Sequence, residues 1–147
     1  MKTVLTVILS GLLLAACGAE LSVEQQIIAT LRDMETAAEE GEHLEFMTFV
    51  ADSFEGQYGS MMRSDFHRFM IYQLNQHRRL RAQFFPIRVQ ELEDGKASAN
   101  FQLLVTGGAG MLPESGQIYD VETHWLRDGS DWLLHKAEWE PSRLPES

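Results

Sequence analysis

Apolar positions along this chain follow two different periods. From Val23 to Glu40 they fall at Val23, Ile27, Ile28, Leu31, Met34 and Ala38, the spacing of a helix with one buried stripe. Ser22 stands where an N-cap is wanted, with Gln25 three positions on as its capping-box partner. Gly41 predicts the end of that helix. A second helix over about 42–51 turns Leu44, Phe46, Met47 and Val50 toward a core. Residues 52–60 hold two glycines and read as irregular, with Phe54 and Tyr58 as anchors. Ser64 then reads as the N-cap of a third helix over about 65–83. Phe66, Phe69, Met70, Gln73, Leu74, His77 and Leu80 fall along or near one of its faces. Pro86 blocks its continuation.

Beyond Pro86 the period shortens to that of a strand. Ile87 to Glu93 is the first, and Asp94-Gly95 is a hairpin signal. Lys96 to Thr106 is the second, with Ala97, Ala99, Phe101, Leu103 and Val105 on one face. Gln117 to Arg127 is the third. There Tyr119, Val121, Thr123 and Trp125 alternate with Asp120, Glu122 and His124. Asp128-Gly129 turns the chain into a fourth strand, Ser130 to Glu140, closed by Pro141. Three helices followed by four sequential strands predict an α+β fold. Its three N-terminal helices should pack on the concave face of a curved antiparallel sheet, in one domain over 23–141.

The N-terminus carries a different pattern. Lys2 precedes Val4 to Ala16, a run of 13 residues whose polar members are Thr6 and Ser10. A membrane span needs about 20 apolar residues, so the run suits a cleaved export signal. It ends Leu14-Ala15-Ala16-Cys17-Gly18, which resembles the lipobox of bacterial lipoproteins. The resemblance implies cleavage before Cys17, lipid on its thiol and acylation of the new amino group. Residues 1–16 are then the signal, 17–22 a lipidated tether and 142–147 a polar tail. Gly18 stands where an aspartate would mark inner-membrane retention in many Gram-negative lipoproteins. Its presence points to the outer membrane, facing the periplasm. Each buried acyl methylene contributes about 0.8 kcal/mol, and several chains make a stable anchor.

Charge narrows the partners. The formal net charge is -10, and Cys17 is the single cysteine. A mature domain so composed has no internal disulfide and no thiolate metal cluster. Its acidity argues against nucleic acid as a partner and against electrostatic attraction to anionic lipid. The charge is segregated: residues 20–55 carry ten acids and one cation, while residues 56–90 carry one acid and six arginines. The arginines of the His77–Arg81 segment suit a helix C-terminus or recognition of an anionic partner or headgroup, and helices of opposite charge on one surface are favoured over a dedicated anion site for the segregation.

The element order, the stretch EEGEHLEFMTFVADSFE from Glu39 to Glu55 and the ending DGSDWLLHKAEWEP from Asp128 to Pro141 resemble the nuclear transport factor 2-like superfamily. That superfamily includes SnoaL-like polyketide cyclases and ketosteroid isomerase. The resemblance implies a cone-shaped sheet, an apolar pocket between sheet and helices, and frequent dimerisation through the sheet. It also implies that any catalyst would be an Asp, His or Tyr deep in the cone. Asp120, His124 and Tyr72 are the catalytic candidates. Met70, His77, Phe101, Tyr119 and Trp125 are the candidates for ligand contact. Asp120 and His124 share a strand face with Glu122, which is also how a solvent-facing surface reads; the alternating Tyr, Val, Thr and Trp make the better core. His67 and His77 lie too far apart along a helix to share one metal, and no metal or cofactor is expected. The loop TGGAGMLPESG, Thr106 to Gly116, lacks the ending of a phosphate loop and joins antiparallel strands; Met111 and Leu112 at its tip suit a lid or contact role. Three functions stay open. They are a non-catalytic envelope lipoprotein binding a small apolar ligand or an envelope protein, an isomerase, dehydratase or cyclase, and a structural accessory subunit.

Overall fold

The computed structural model describes residues 18–76, 79–107 and 115–143. Cys17, His77, Met111 and Leu112 lie outside them. Helix α1 spans Val23–Glu39. Its capping box closes as the sequence predicts: the Gln25 amide donates to Ser22 Oγ at 3.2 Å, and the Ser22 amide donates to Gln25 Oε1 at 3.0 Å. At its other end Gly41 takes a φ of +76°, and the Glu42 amide reaches back to the Ala37 carbonyl at 2.8 Å. Ile27, Leu31, Met34, Ala37 and Ala38 are the buried stripe.

Helix α2 spans only His43–Thr48, shorter than the periodicity suggests. The chain then extends as β1, Val50–Gly56, because a parallel partner is available in the last strand. Phe54 is buried there, whereas Leu44 and Tyr58 are exposed rather than packed. Tyr58 sits in a tight turn with Gln57, both at positive φ, and β2, Met61–Met62, pairs back on β1.

Helix α3 spans Arg63–Gln76. The Met62 amide donates to Asp65 Oδ2 at 3.0 Å, so the helix is capped two residues before Ser64. The next strand, β3, spans Arg81–Leu92 and contains Pro86. Proline is tolerated in an edge strand, and the pairing with β4, Lys96–Gly107, shifts register between Phe85 and Arg88. Pairing already begins at Arg81 opposite Thr106, and this ladder ends the helix earlier than Pro86 would.

Strands β5, Ser115–Asp128, and β6, Asp131–Pro141, complete the meander. The six-stranded sheet runs β2-β1-β6-β5-β4-β3. It is antiparallel except where β1 lies parallel to β6. The helices pack on its curved inner face. Ala97, Ala99, Phe101, Thr123, Trp125, Leu134 and Ala137 are buried inward from it. Trp132 Nε1–H donates to Gln26 Oε1 at 2.9 Å, tying β6 to α1.

Candidate functional site

A cavity of about 230 Å³ lies between the helices and the inner face of the sheet. Helix α1 supplies Leu31, Met34, Glu35 and Ala38, and α3 supplies Phe66, Phe69, Met70 and Gln73. The sheet supplies Phe84, Phe101, Leu103, Val105, Tyr119, Val121 and Trp139 among others. Phe66 bridges the groups, stacking on Phe54 with centroids 4.6 Å apart and meeting Trp139 at 6.0 Å. The wall is almost wholly hydrocarbon, with polar side chains from Glu35, Gln73, Tyr119 and Thr123.

Two of these polar groups are in contrasting states. The Thr123 hydroxyl is already engaged: it donates to the Ala99 carbonyl at 2.8 Å and accepts from Trp125 Nε1–H at 2.8 Å. Glu35 makes no hydrogen bond to another described residue. Burial, and next the nearby charge of Glu39, raise its carboxyl above the ordinary value, while Arg32 opposes them.

Of the ligand-contact candidates, Met70, Phe101 and Tyr119 line the cavity. Trp125 is buried in the core at 1% exposure but is not part of the cavity wall. The catalytic candidates do not line it. Tyr72 is 60% exposed on α3. Asp120 and His124 occupy the outer face of the sheet and are not hydrogen-bonded to each other. Asp120 Oδ1 accepts from Gln102 Nε2 at 3.0 Å and from Ser142 Oγ at 2.8 Å. These bonds favour its charged form and hold it below the usual carboxylate range. His124 Nε2 instead meets Glu122 Oε1 at 3.0 Å. The geometry thus separates the row of Asp120, Glu122 and His124 from the apolar cavity.

The outer face carries its own groove of about 460 Å³, with Asp120, Glu122, Glu138 and Glu140 against Arg88, the single cation among its described lining residues. Further along that face His135 Nδ1 lies 3.1 Å from Ser53 Oγ. Burial, reinforced by Lys136, holds this imidazole below its ordinary range. On the helical side His43 Nδ1 and His67 Nε2 lie 2.9 Å apart, a pairing invisible in the spacing because it joins α2 to α3. Among the described residues no group of three or more His, Cys, Asp or Glu is placed to hold a metal.

Sequence reasoning passed over Glu35. The signal was present: it lies four residues after Leu31 and three before Ala38, so it borders the apolar stripe. An acid on such a stripe reads as a flank of the helix until the cavity beside it is known.

The α+β cone, its meander and the apolar cavity between helices and sheet decide the architecture. The fold is nuclear transport factor 2-like. Solved structures with this fold include a protein of the nuclear transport factor 2-like family from Streptomyces avermitilis, described as a candidate dehydratase. It matches with a TM-score of 0.70 and 14% identity, over 82% of this chain and 96% of that one. A nuclear transport factor 2-like protein of unknown function from Pseudomonas putida KT2440 gives 0.68 and 13%, over 84% and 89%. Bd1075 from Bdellovibrio bacteriovorus gives 0.70 and 9%, over 81% of this chain and 40% of that larger one. At these identities the likeness is one of fold alone. No protein-family model matches the sequence, and neither does any curated protein.

Proposed function

We propose that this chain is an envelope lipoprotein, held to a membrane by lipid on Cys17, whose nuclear transport factor 2-like domain binds a small apolar ligand without transforming it. The observation that carries the binding reading is the cavity of about 230 Å³ with its hydrocarbon wall. It is smaller than a typical drug-binding pocket of roughly 300–1,000 Å³, so the ligand is small. Asp120, His124 and Tyr72, the three catalytic candidates, stand outside that wall, which favours binding over an isomerase or dehydratase reading built on them. No helix among the described residues is long and apolar enough to cross a membrane. The lipobox-like Leu14 to Gly18 segment supports attachment through Cys17 at the outer membrane, facing the periplasm.

Native mass spectrometry of the protein extracted from its host envelope tests the binding reading. A retained apolar small molecule is expected, and Leu103→Trp, which fills the cavity, should lose it while keeping its circular dichroism. Retention by Leu103→Trp, or an empty wild-type protein, refutes the reading. Cys17→Ala tests the tether and should appear in the soluble fraction; continued membrane association counts against the lipid anchor.

A further inference from the structure

Glu35 is the one charged side chain among the described residues that line the cavity. None of the other described residues that line the cavity carries a charge to neutralise it. Arg32 and Glu39 lie on its own helix and do not line the cavity, and their charges oppose each other. Glu39 is itself engaged, accepting from the Ala82 amide at 3.2 Å and meeting Arg81 of β3 at 3.6 Å. The described cavity residues of α2, α3 and β3 to β6 include no cation. A carboxylate against a hydrocarbon wall has lost part of its hydration, and a partner charge inside that wall restores the balance.

We infer that the cavity selects an apolar molecule bearing one protonated amine, its ammonium meeting Glu35 and its hydrocarbon filling the space between α1, α3 and the sheet. This rests on the apolar-ligand reading above and adds the chemistry of the head group. A fatty acid of equal length meets repulsion at Glu35. A neutral alcohol donates one hydrogen bond to the carboxylate, whereas an ammonium makes that bond and also brings the opposite full charge.

Isothermal titration of the purified domain with octylamine, octan-1-ol and octanoate tests the assignment. Octylamine should bind about tenfold more tightly than octan-1-ol, and octanoate more weakly than both. In Glu35→Gln, with folding verified by circular dichroism, the amine-to-alcohol ratio should fall to about one. Glu35→Asp, which keeps the charge, should retain a preference for the amine. Equal binding of the three probes to the wild type, or a preference that survives Glu35→Gln, overturns the amine assignment and leaves the apolar-ligand reading standing. Failure of all three to bind overturns both.

Discussion

Replacing Thr123 by valine removes one oxygen from the centre of the sheet and leaves the shape nearly unchanged. Thr123 and Trp125 are 3% and 1% exposed. The hydroxyl is the acceptor for the Trp125 indole N–H and a donor to the Ala99 carbonyl, both at 2.8 Å. An indole N–H can only donate, so in Thr123→Val it is left buried with nothing to receive it. That desolvated donor costs about 1–3 kcal/mol, and the lost bond to Ala99 adds about 1 kcal/mol. The added methyl group returns part of this, so a net loss of about 2–3 kcal/mol is expected. For a domain of this size the melting temperature should fall by roughly 6–12 °C. Urea unfolding followed by tryptophan fluorescence gives the number directly, with the slope unchanged if only stability has moved. Trp125→Phe supplies the control, because it removes the donor that Thr123 serves. The two changes together should cost at least about 1 kcal/mol less than their sum. A Thr123→Val loss below about 0.5 kcal/mol, or strict additivity with Trp125→Phe, would show that the hydroxyl is not holding the indole.

Other expectations test other levels of the fold. The folded state holds the Glu35 proton more tightly than the unfolded chain does, so this group favours folding below its ordinary value of 4.5 and ceases to do so as pH rises through the raised value. Glu35→Gln should therefore gain less than about 1 kcal/mol at neutral pH, reduced by solvent screening, and nothing under acid conditions; a gain independent of pH in denaturant titrations would refute this. Phe54→Ala removes a ring that is 1% exposed and stacked on Phe66, and should cost about 3–5 kcal/mol in the same assay. Ser22→Ala opens the capping box of α1 and should cost about 0.5–2 kcal/mol, read most directly as faster amide exchange in its first turn.

What could be read from the chain was what local chemistry decides. Strict alternation placed Thr123 and Trp125 inward and Asp120 and His124 outward, and both pairs lie as expected. The capping box at Ser22 and the positive φ values at Asp94 and Gly95 are likewise local matters, and the residues announce them. The larger misreadings concern pairing between distant segments. Val50 to Gly56 looked like the end of a helix and a loop because its partner, β6, lies some eighty residues further on. Pro86 looked like a barrier because a sequence does not say which strand will be at the edge of a sheet. Once β3 is that edge, the missing amide hydrogen has no ladder partner to disappoint.

The cavity follows the same division. Its apolar walls were legible as stripes: Met70 on α3, Phe101 on β4 and Tyr119 on β5 each fell on a face assigned to the interior. The one charge among its described residues was not, because Glu35 acquires meaning only from the cavity that α3 and the sheet form with α1. On an isolated α1 it would be a hydrated flank beside Arg32 and Glu39. Beside the cavity that Phe69, Met70 and Leu103 also line, it becomes a partly dehydrated acid whose carboxyl is raised above its ordinary value. Hydrophobic alternation is a property of one segment and survives being read alone. A binding site in this fold is made where three segments meet, so its chemistry appears only with the packing that encloses it.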